Sequence, residues 1–169
     1  VMSILGKIGL EESCLKCGVH MPTNRMQAAR LVKEGISVTP VYNNCSGKHA
    51  GMLAYAMHNG YPIDNYLDRE NPVQVNMWKA VAEVSGLPPE KVVRGVDGCG
   101  VVVFGMPIAN MAYAYARLAD PGALPECFRD SAQRMTSAMI EYPEMIGGAF
   151  DFGSNLMRNG GGTVFAKGG

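Results

Sequence analysis

The chain has 169 residues, of which 47% are hydrophobic and 18% charged, a composition typical of a well-buried globular protein and not of a disordered one. Fifteen basic residues balance fifteen acidic ones, so charge gives no basis for binding nucleic acid or an anionic membrane surface. No apolar run reaches the roughly 20 residues that a membrane helix requires, and the sequence shows no secretory signal.

Capping residues mark most of the predicted helices. Residues 1–9 have the pattern of the last part of a helix, and Thr23 or Asn24 can cap a second helix that runs to about Glu34. Further helices are expected from Ser46 to His58 or Asn59, from Pro72 to just before Gly86, from Pro107 to about Leu118, from Glu126 to Tyr142, and within Asp151 to Arg158.

The helix that begins at Pro107 carries Ala, Met and Tyr on most of its faces. A helix that is apolar all round is usually buried in a core. We therefore expect this helix to be deeply buried.

Four short runs have the β-branched and aromatic composition of strands. They are Ser37–Tyr42, Val92–Val96, Val101–Phe104 and Thr163–Ala166. Because these runs alternate with helices, the sequence predicts an α/β or α+β fold. No internal repeat or change of composition separates domains, so residues 1–169 are expected to form a single domain.

Both ends of the sequence have the pattern of interrupted elements. Residues 1–9 resemble a helix without its start, and residues 164–169 end directly after a predicted strand. We expect the chain to be an internal fragment of a longer protein.

The five cysteines are an odd number and are widely spaced, at positions 14, 17, 45, 99 and 127. A secreted disulfide framework would be denser and paired. The cysteine pattern therefore favours the cytoplasm, where thiols stay reduced and serve in metal binding or catalysis.

The segment 43–51, Asn-Asn-Cys-Ser-Gly-Lys-His-Ala-Gly, places reactive side chains at the predicted start of a helix. With Ser46 as the N-cap, the helix dipole would favour a thiolate at Cys45 and disfavour a protonated amine at Lys48. Burial would lower the pKa of Lys48 further. Thiolate and neutral amine are the forms that bind metals. The alternative is that Lys48 and His49 are only solvated polar residues at a helix start.

The segment 96–100 places Cys99 between two glycines after a predicted strand. Glycines let the backbone and the thiol approach a ligand closely. Asp97 could accept a hydrogen bond from a metal ligand or from a substrate ammonium group. Taken alone, the segment also fits a tight turn with a buried cysteine.

Three further motifs are weak when each is taken alone. Residues 14–17 form a C-x-x-C, but no second such pair completes a structural zinc site. Residues 13–16 match the S-x-x-K spacing of penicillin-recognising enzymes, and residues 167–169 match the K-x-G that lines the active site in β-lactamases. None of these short matches assigns a function.

Taken together, residues 43–53, 96–100 and 166–169 resemble the rhizobial-type L-asparaginase II family, and residues 16–20 and 71–74 add to the likeness. The resemblance implies a Zn²⁺ site close to the substrate. Its residues are assigned by position in the matching segments: Cys45, Lys48 and Cys99 as zinc ligands, His49 and Asp97 as residues that support the metal and the substrate, and Lys167 as the lysine paired with a catalytic serine.

The resemblance also implies a fold similar to serine β-lactamases, with an antiparallel sheet and a helical cluster. The implied reaction is attack of an activated serine on the side-chain amide of L-asparagine, which yields ammonia and then L-aspartate. The family's nucleophilic serine precedes the segment matched by Val1, so the chain would be the central-to-C-terminal portion of the enzyme and inactive alone. The full-length protein is expected to be a homodimer.

Two other functions remain open at this stage. One is a metal-independent cysteine amidohydrolase, in which Cys45 or Cys99 is the nucleophile and His49 the base. The other is a non-catalytic metal-binding or interaction module. Zinc content would distinguish a cysteine amidohydrolase from a zinc-dependent one. Ammonia release from asparagine would distinguish an enzyme from a non-catalytic module.

Overall fold

The computed structural model describes residues 1–148 and 150–168, which divide into two compact units. The first unit comprises Val1–Glu83 and Leu87–Met106, and the second comprises Val84–Gly86 and the residues from Pro107 on. The expectation of one domain over residues 1–169 stays a prediction. None of the helices in the described part of the chain combines the length and the apolar character needed to cross a membrane.

The first unit is built mainly of helices, and capping residues explain where several of them begin and end. The Asn24 side chain accepts hydrogen bonds from the first turn of one helix, and Asn71 caps another in the same way. Gly60 ends the helix that spans Ser46–Asn59 in the left-handed conformation. The helices are α1 (Met2–Lys7), α2 (Arg25–Lys33), α3 (Ser46–Asn59) and α4 (Pro72–Ser85), the last two residues of α4 being grouped with the second unit.

The core of the first unit surrounds α3, which packs against α1. Leu5 of α1 and Leu53 of α3 have no exposed surface, and neither has Tyr66 in the segment that follows α3. Short 3₁₀ turns connect the helices at Glu12–Cys14, Pro40–Tyr42 and Pro89–Lys91. Because α3 is packed in the core along one face, the position of its polar first turn is fixed as well.

Two strands form an antiparallel hairpin in the first unit. Strand β1 (Val93–Val96) pairs with β2 (Val102–Gly105), and Val96 lies opposite Val102 next to the connecting loop. Trp78 of α4 donates a hydrogen bond from Nε1 to Val92 O at 3.1 Å, which anchors the base of the hairpin. The loop that contains the 96–100 motif lies at the other end of the hairpin.

The second unit is helical in the residues described. Arg117, although charged, is buried, and its guanidinium donates hydrogen bonds to the carbonyl oxygens of Ala123 and Val84. Tyr115 stacks on Phe165 with ring centroids 5.7 Å apart. The helices are α5 (Ile108–Ala119), α6 (Glu126–Glu141), α7 (Glu144–Gly147) and α8 (Phe152–Asn159), and a 3₁₀ turn spans Pro121–Ala123.

The prediction that α5 is deeply buried is wrong within its unit. Ile108 is 84% exposed, and Met111 and Tyr113 also lie largely at the surface. The helix packs against α6 and the turn at Pro121–Ala123, and these contacts cover only part of its circumference. The helix itself was predicted correctly. Its apolar composition did not reveal how many of its faces are covered.

Two of the four predicted strands are also wrong. Residues 37–42 form a coil that leads into the 3₁₀ turn at Pro40–Tyr42, where the Glu12 carboxylate accepts a hydrogen bond from Val41 N at 2.9 Å. Residues 163–166 form no strand, and the Thr163 hydroxyl donates to Gly160 O. The strands at 93–96 and 102–105 confirm the other two. With one two-stranded antiparallel sheet among many helices, the described residues have an α+β fold.

Candidate metal site

The first turn of α3 is held by hydrogen bonds from the preceding loop. The Asn43 side chain accepts a hydrogen bond from Cys45 N through Oδ1 at 2.8 Å, and Cys45 is the N-cap residue. Ser46, which the sequence suggested as the cap, is the first helical residue, and its hydroxyl donates to Val41 O at 2.9 Å. The correction moves the cap by one position and leaves Lys48 and His49 in the first turn.

The loop between β1 and β2 brings a second thiol to the same place. Asp97 N donates to Val101 O at 2.8 Å, and Gly98 N donates to Asp97 Oδ1 at 2.8 Å. Gly100 has a φ of +85°, which turns the chain back towards β2. The Cys99 thiol that results is buried, with 7% of the residue exposed.

Gly100→Ala should lower the free energy of unfolding by about 1–3 kcal/mol, because a side chain at positive φ is strained. A Cβ atom there would also lie 3.3 Å from Leu67 Cδ1. Denaturant unfolding measures the loss. Gly98→Ala is the matched control, because a Cβ at Gly98 meets no atom within 4 Å and its φ is not positive. Equal stability of the two variants would contradict the prediction.

Three potential metal donors converge where α3 and the hairpin loop meet. The Sγ atoms of Cys45 and Cys99 and a carboxylate oxygen of Asp97 all lie within 4.8 Å of one another. Cys99 Sγ is 3.7 Å from Asp97 Oδ2. Sulfur and carboxylate oxygen are both common ligands of divalent transition metals. These three residues could therefore hold a metal ion.

Lys48 reaches the donor cluster through an ion pair. Its Nζ lies 2.8 Å from Asp97 Oδ2, and both side chains are more than one-third exposed. Because of that exposure, the pair contributes little to stability by itself. The ion pair nevertheless joins Lys48 to Asp97, the carboxylate of the donor cluster.

The sequence predicted lowered pKa values for Cys45 and Lys48, and in the chain without a metal both predictions are wrong. Burial raises the pKa of the Cys45 thiol, and its hydrogen bond with Cys99 adds to the increase. Burial alone would lower the pKa of Lys48, but the hydrogen bond to Asp97 and the nearby thiols raise it above its ordinary value. Hydrogen bonds from Lys48 and Gly98 N hold the pKa of Asp97 below its usual range.

His49 is fully buried behind these donors. Burial lowers its pKa to about 4, and the neighbouring Lys48 adds to the effect, so the imidazole is neutral at pH 7. Its Nδ1 lies 2.6 Å from the Tyr66 hydroxyl, which also accepts a hydrogen bond from Lys16 N at 2.8 Å. The Nε2 atom has no hydrogen-bond partner within the described residues.

A comparison with protein families shows to which family the chain belongs. Residues 1–169 match the model of the family described as L-asparaginase II. The chain belongs to the L-asparaginase II family. No curated protein matches the sequence. Membership in the L-asparaginase II family supports an amide-hydrolysing function with an amide substrate such as asparagine, as the segments at 43–53 and 96–100 had indicated.

Lys167, the remaining predicted residue of this L-asparaginase II chain, belongs to the second unit. It is exposed, and its Nζ donates to Gly168 O. Gly169, the last residue of the K-x-G match, lies outside the described residues. The pairing of Lys167 with a catalytic serine stays a prediction.

Two residues around the L-asparaginase II donor cluster were not identified from the sequence. Asn43 has a local signal, because an Asx side chain two residues before a helix start commonly accepts from the backbone. Tyr66 has none, because its hydroxyl meets His49 and Lys16 only through tertiary contacts. Asp97 lies in the donor cluster and accepts a hydrogen bond from Lys48, and its role in supporting the metal and the substrate stays a prediction.

Proposed function

We propose that the chain forms the zinc-binding part of an L-asparaginase that converts L-asparagine to L-aspartate and ammonia. The match of residues 1–169 to the L-asparaginase II family is the observation that carries the proposal. The meeting of Cys45, Asp97 and Cys99 within 4.8 Å supports the metal site. Cys45 lies more than 50 residues before Asp97 and Cys99 along the chain, so the convergence of these residues is a property of the fold.

The donor chemistry fits Zn²⁺. Zinc binds thiolates and either nitrogen or carboxylate oxygen in four-coordinate sites, and catalytic sites keep one position open. Cys45 and Cys99 would bind as thiolates, and Lys48 as a neutral amine. Because Lys48 Nζ is 2.8 Å from Asp97 Oδ2, the amine would keep a hydrogen-bond acceptor after losing one proton. When bound, zinc would orient the substrate or polarise its amide as a Lewis acid.

The catalytic steps are assigned to other side chains. A serine oxygen attacks the amide carbon of asparagine, the C–N bond breaks with release of ammonia, and water then hydrolyses the acyl-enzyme to aspartate. Lys167 would hold or transfer a proton at one catalytic serine, as in serine β-lactamases, whose fold this family is inferred to share. We assign the nucleophilic serine to a segment outside residues 1–169, and the complete enzyme to a cytoplasmic homodimer.

Two features favour this proposal over a cysteine nucleophile with His49 as its base. The raised pKa of Cys45 keeps its thiol protonated at pH 7, whereas a nucleophilic cysteine needs a lowered pKa. A pKa of about 4 also makes the His49 imidazole a weak base.

An ammonia-release assay with L-asparagine tests the proposal. The protein would be residues 1–169 joined to the serine-bearing segment of the family, and we expect hydrolysis of asparagine that Lys167→Ala lowers by about 10²–10⁴-fold, the usual contribution of a proton-transfer group. Lys33→Ala, which removes an exposed lysine at the end of α2, should leave the rate unchanged. A joined protein that binds zinc but hydrolyses nothing would instead favour the metal-binding or interaction module.

A further inference from the structure

The loop at residues 14–18, which contains the C-x-x-C motif, lies against the start of α3. Leu15 and Cys17 are both buried, each with 5% of the residue exposed, and both belong to the core cluster that includes Cys99. The Cys17 thiol donates to Pro40 O at 3.5 Å. Cys17 is not among the clustered donors of the described residues, so its motif has no direct part in the proposed metal site.

One side chain connects this loop to a proposed metal ligand. Asn43 Nδ2 donates to Cys17 O at 2.9 Å and to Gly18 O at 3.2 Å. Asn43 Oδ1 accepts from Cys45 N at 2.8 Å. Both ends of the amide are therefore used, and the position of Cys45 depends on the position of the 14–18 loop.

The loop itself is fixed from the other side by Tyr66. The Tyr66 hydroxyl accepts from Lys16 N at 2.8 Å and lies 2.6 Å from His49 Nδ1 in the first turn of α3. The 14–18 loop is thus connected to the start of α3 twice, once through the Asn43 side chain and once through the Tyr66 hydroxyl. A loop held at both points is a rigid support for the Asn43 side chain.

We propose that Asn43 is a positioning residue for the metal site: its amide ties Cys45 to the 14–18 loop and sets the distance between Cys45 and the hairpin thiol of Cys99. The inference rests on the proposed zinc site. The backbone of a ligand must be held in place for its sulfur to meet the geometry that zinc requires. Asn43 touches neither thiol in this role, and it acts only through the backbone of Cys45.

The test measures zinc affinity by chelator competition, together with the absorption of the Co²⁺-substituted protein, on the full chain. Asn43→Ala removes both the tie to the loop and the acceptor for Cys45 N. We expect zinc affinity to fall by about 10–100-fold, the usual effect of losing a residue that orients a ligand. The thiolate-to-cobalt absorption band should also change, because it reports the geometry around the ion.

Asn43→Ser separates the two functions of the amide. A serine hydroxyl can still accept from Cys45 N, as in an ST-turn, but is too short to reach Cys17 O and Gly18 O. We expect zinc affinity to fall, but by less than in Asn43→Ala, because one of the two functions is kept. This variant decides the question if Asn43→Ala does not fold.

Asn71→Ala is the matched control. Asn71 is also a helix-capping asparagine of the first unit, accepting from Val73 N while its Nδ2 donates to Pro62 O. Its loss should lower the melting temperature but leave zinc affinity and the cobalt spectrum unchanged.

Unchanged affinity in both Asn43 variants would overturn the inference and leave the zinc site standing. An equal loss in Asn71→Ala would also overturn it, because the effect would then be general destabilisation. Failure of the wild-type chain to bind zinc would refute the proposed site, and the inference with it.

Discussion

Replacing Cys99 with alanine should weaken zinc binding by about 10²–10³-fold, whereas the wild-type chain should hold about one tightly bound zinc ion. Structural zinc sites with four ligands bind with roughly 10–16 kcal/mol, so one of the four ligands accounts for about 2.5–4 kcal/mol and its loss for about 10²–10³-fold in affinity. Because Cys99 is buried beside Cys45 and Asp97, no other thiol of the donor cluster can take its place. Elemental analysis and chelator competition measure the change.

Cys127→Ala provides the control for this experiment. Cys127 is exposed and is not one of the clustered donors, so its replacement removes a thiol but no proposed ligand. Its zinc content should equal that of the wild type. Stoichiometric zinc of unchanged affinity in Cys99→Ala would rule out the assignment of Cys99 as a ligand.

The second large effect is expected from Tyr66→Phe. At neutral pH the variant should lose about 1–3 kcal/mol of stability, because Lys16 N and His49 Nδ1 are left without their shared partner. The ring is retained, so the loss reports the hydroxyl and not a cavity. Urea unfolding of both proteins at pH 7 measures it, and equal midpoints would contradict the role given to the hydroxyl.

The same residue should make the protein sensitive to alkali. Burial raises the pKa of Tyr66 to about 12 from its ordinary 10.0 in the unfolded chain. The unfolded chain therefore releases the proton first, and the stabilisation, complete below pH 10, is lost as the pH rises towards 12. The full difference is worth roughly 3 kcal/mol.

Unfolding measured from pH 9 to 12 should show this loss in the wild type and not in Tyr66→Phe. Tyr55→Phe is the control, because Tyr55 is 37% exposed and should behave as the wild type does. Parallel stability curves for the wild type and Tyr66→Phe would refute the predicted pKa.

The helices could be predicted from the sequence because their boundaries are encoded locally. Asn24 and Asn71 cap α2 and α4 through atoms two residues away, and Gly60 ends α3 through its own φ. Such signals do not depend on the rest of the fold. The predicted helix starts and ends therefore agree with the structure to within a residue or two.

Strands require a partner, and the sequence does not name it. Residues 37–42 and 163–166 have β-branched composition but pair with no other strand in the described part of the chain. At 37–42, Pro40 begins a 3₁₀ turn, and the Glu12 side chain takes the Val41 amide that a sheet would have used. Intrinsic strand preference is weaker than such local alternatives.

The candidate site residues could be predicted by motif and resemblance, but the pKa directions of their side chains could not. The sequence predicted that burial would lower the pKa of Lys48, and burial does act in that direction. Its ion-pair partner, Asp97, lies 49 residues away and reverses the direction. A pKa depends on neighbours in space, which a linear motif does not reveal.

The distance along the chain between the first turn of α3 and the hairpin loop also bears on folding kinetics. An ion joining Cys45 to Cys99 would close a loop of roughly fifty residues, whose closure costs chain entropy before any contact rewards it. Helices α1 to α4 can form from local contacts, so the two thiols would meet late in folding. Metal would therefore slow unfolding of the finished first unit far more than it would accelerate the formation of that unit.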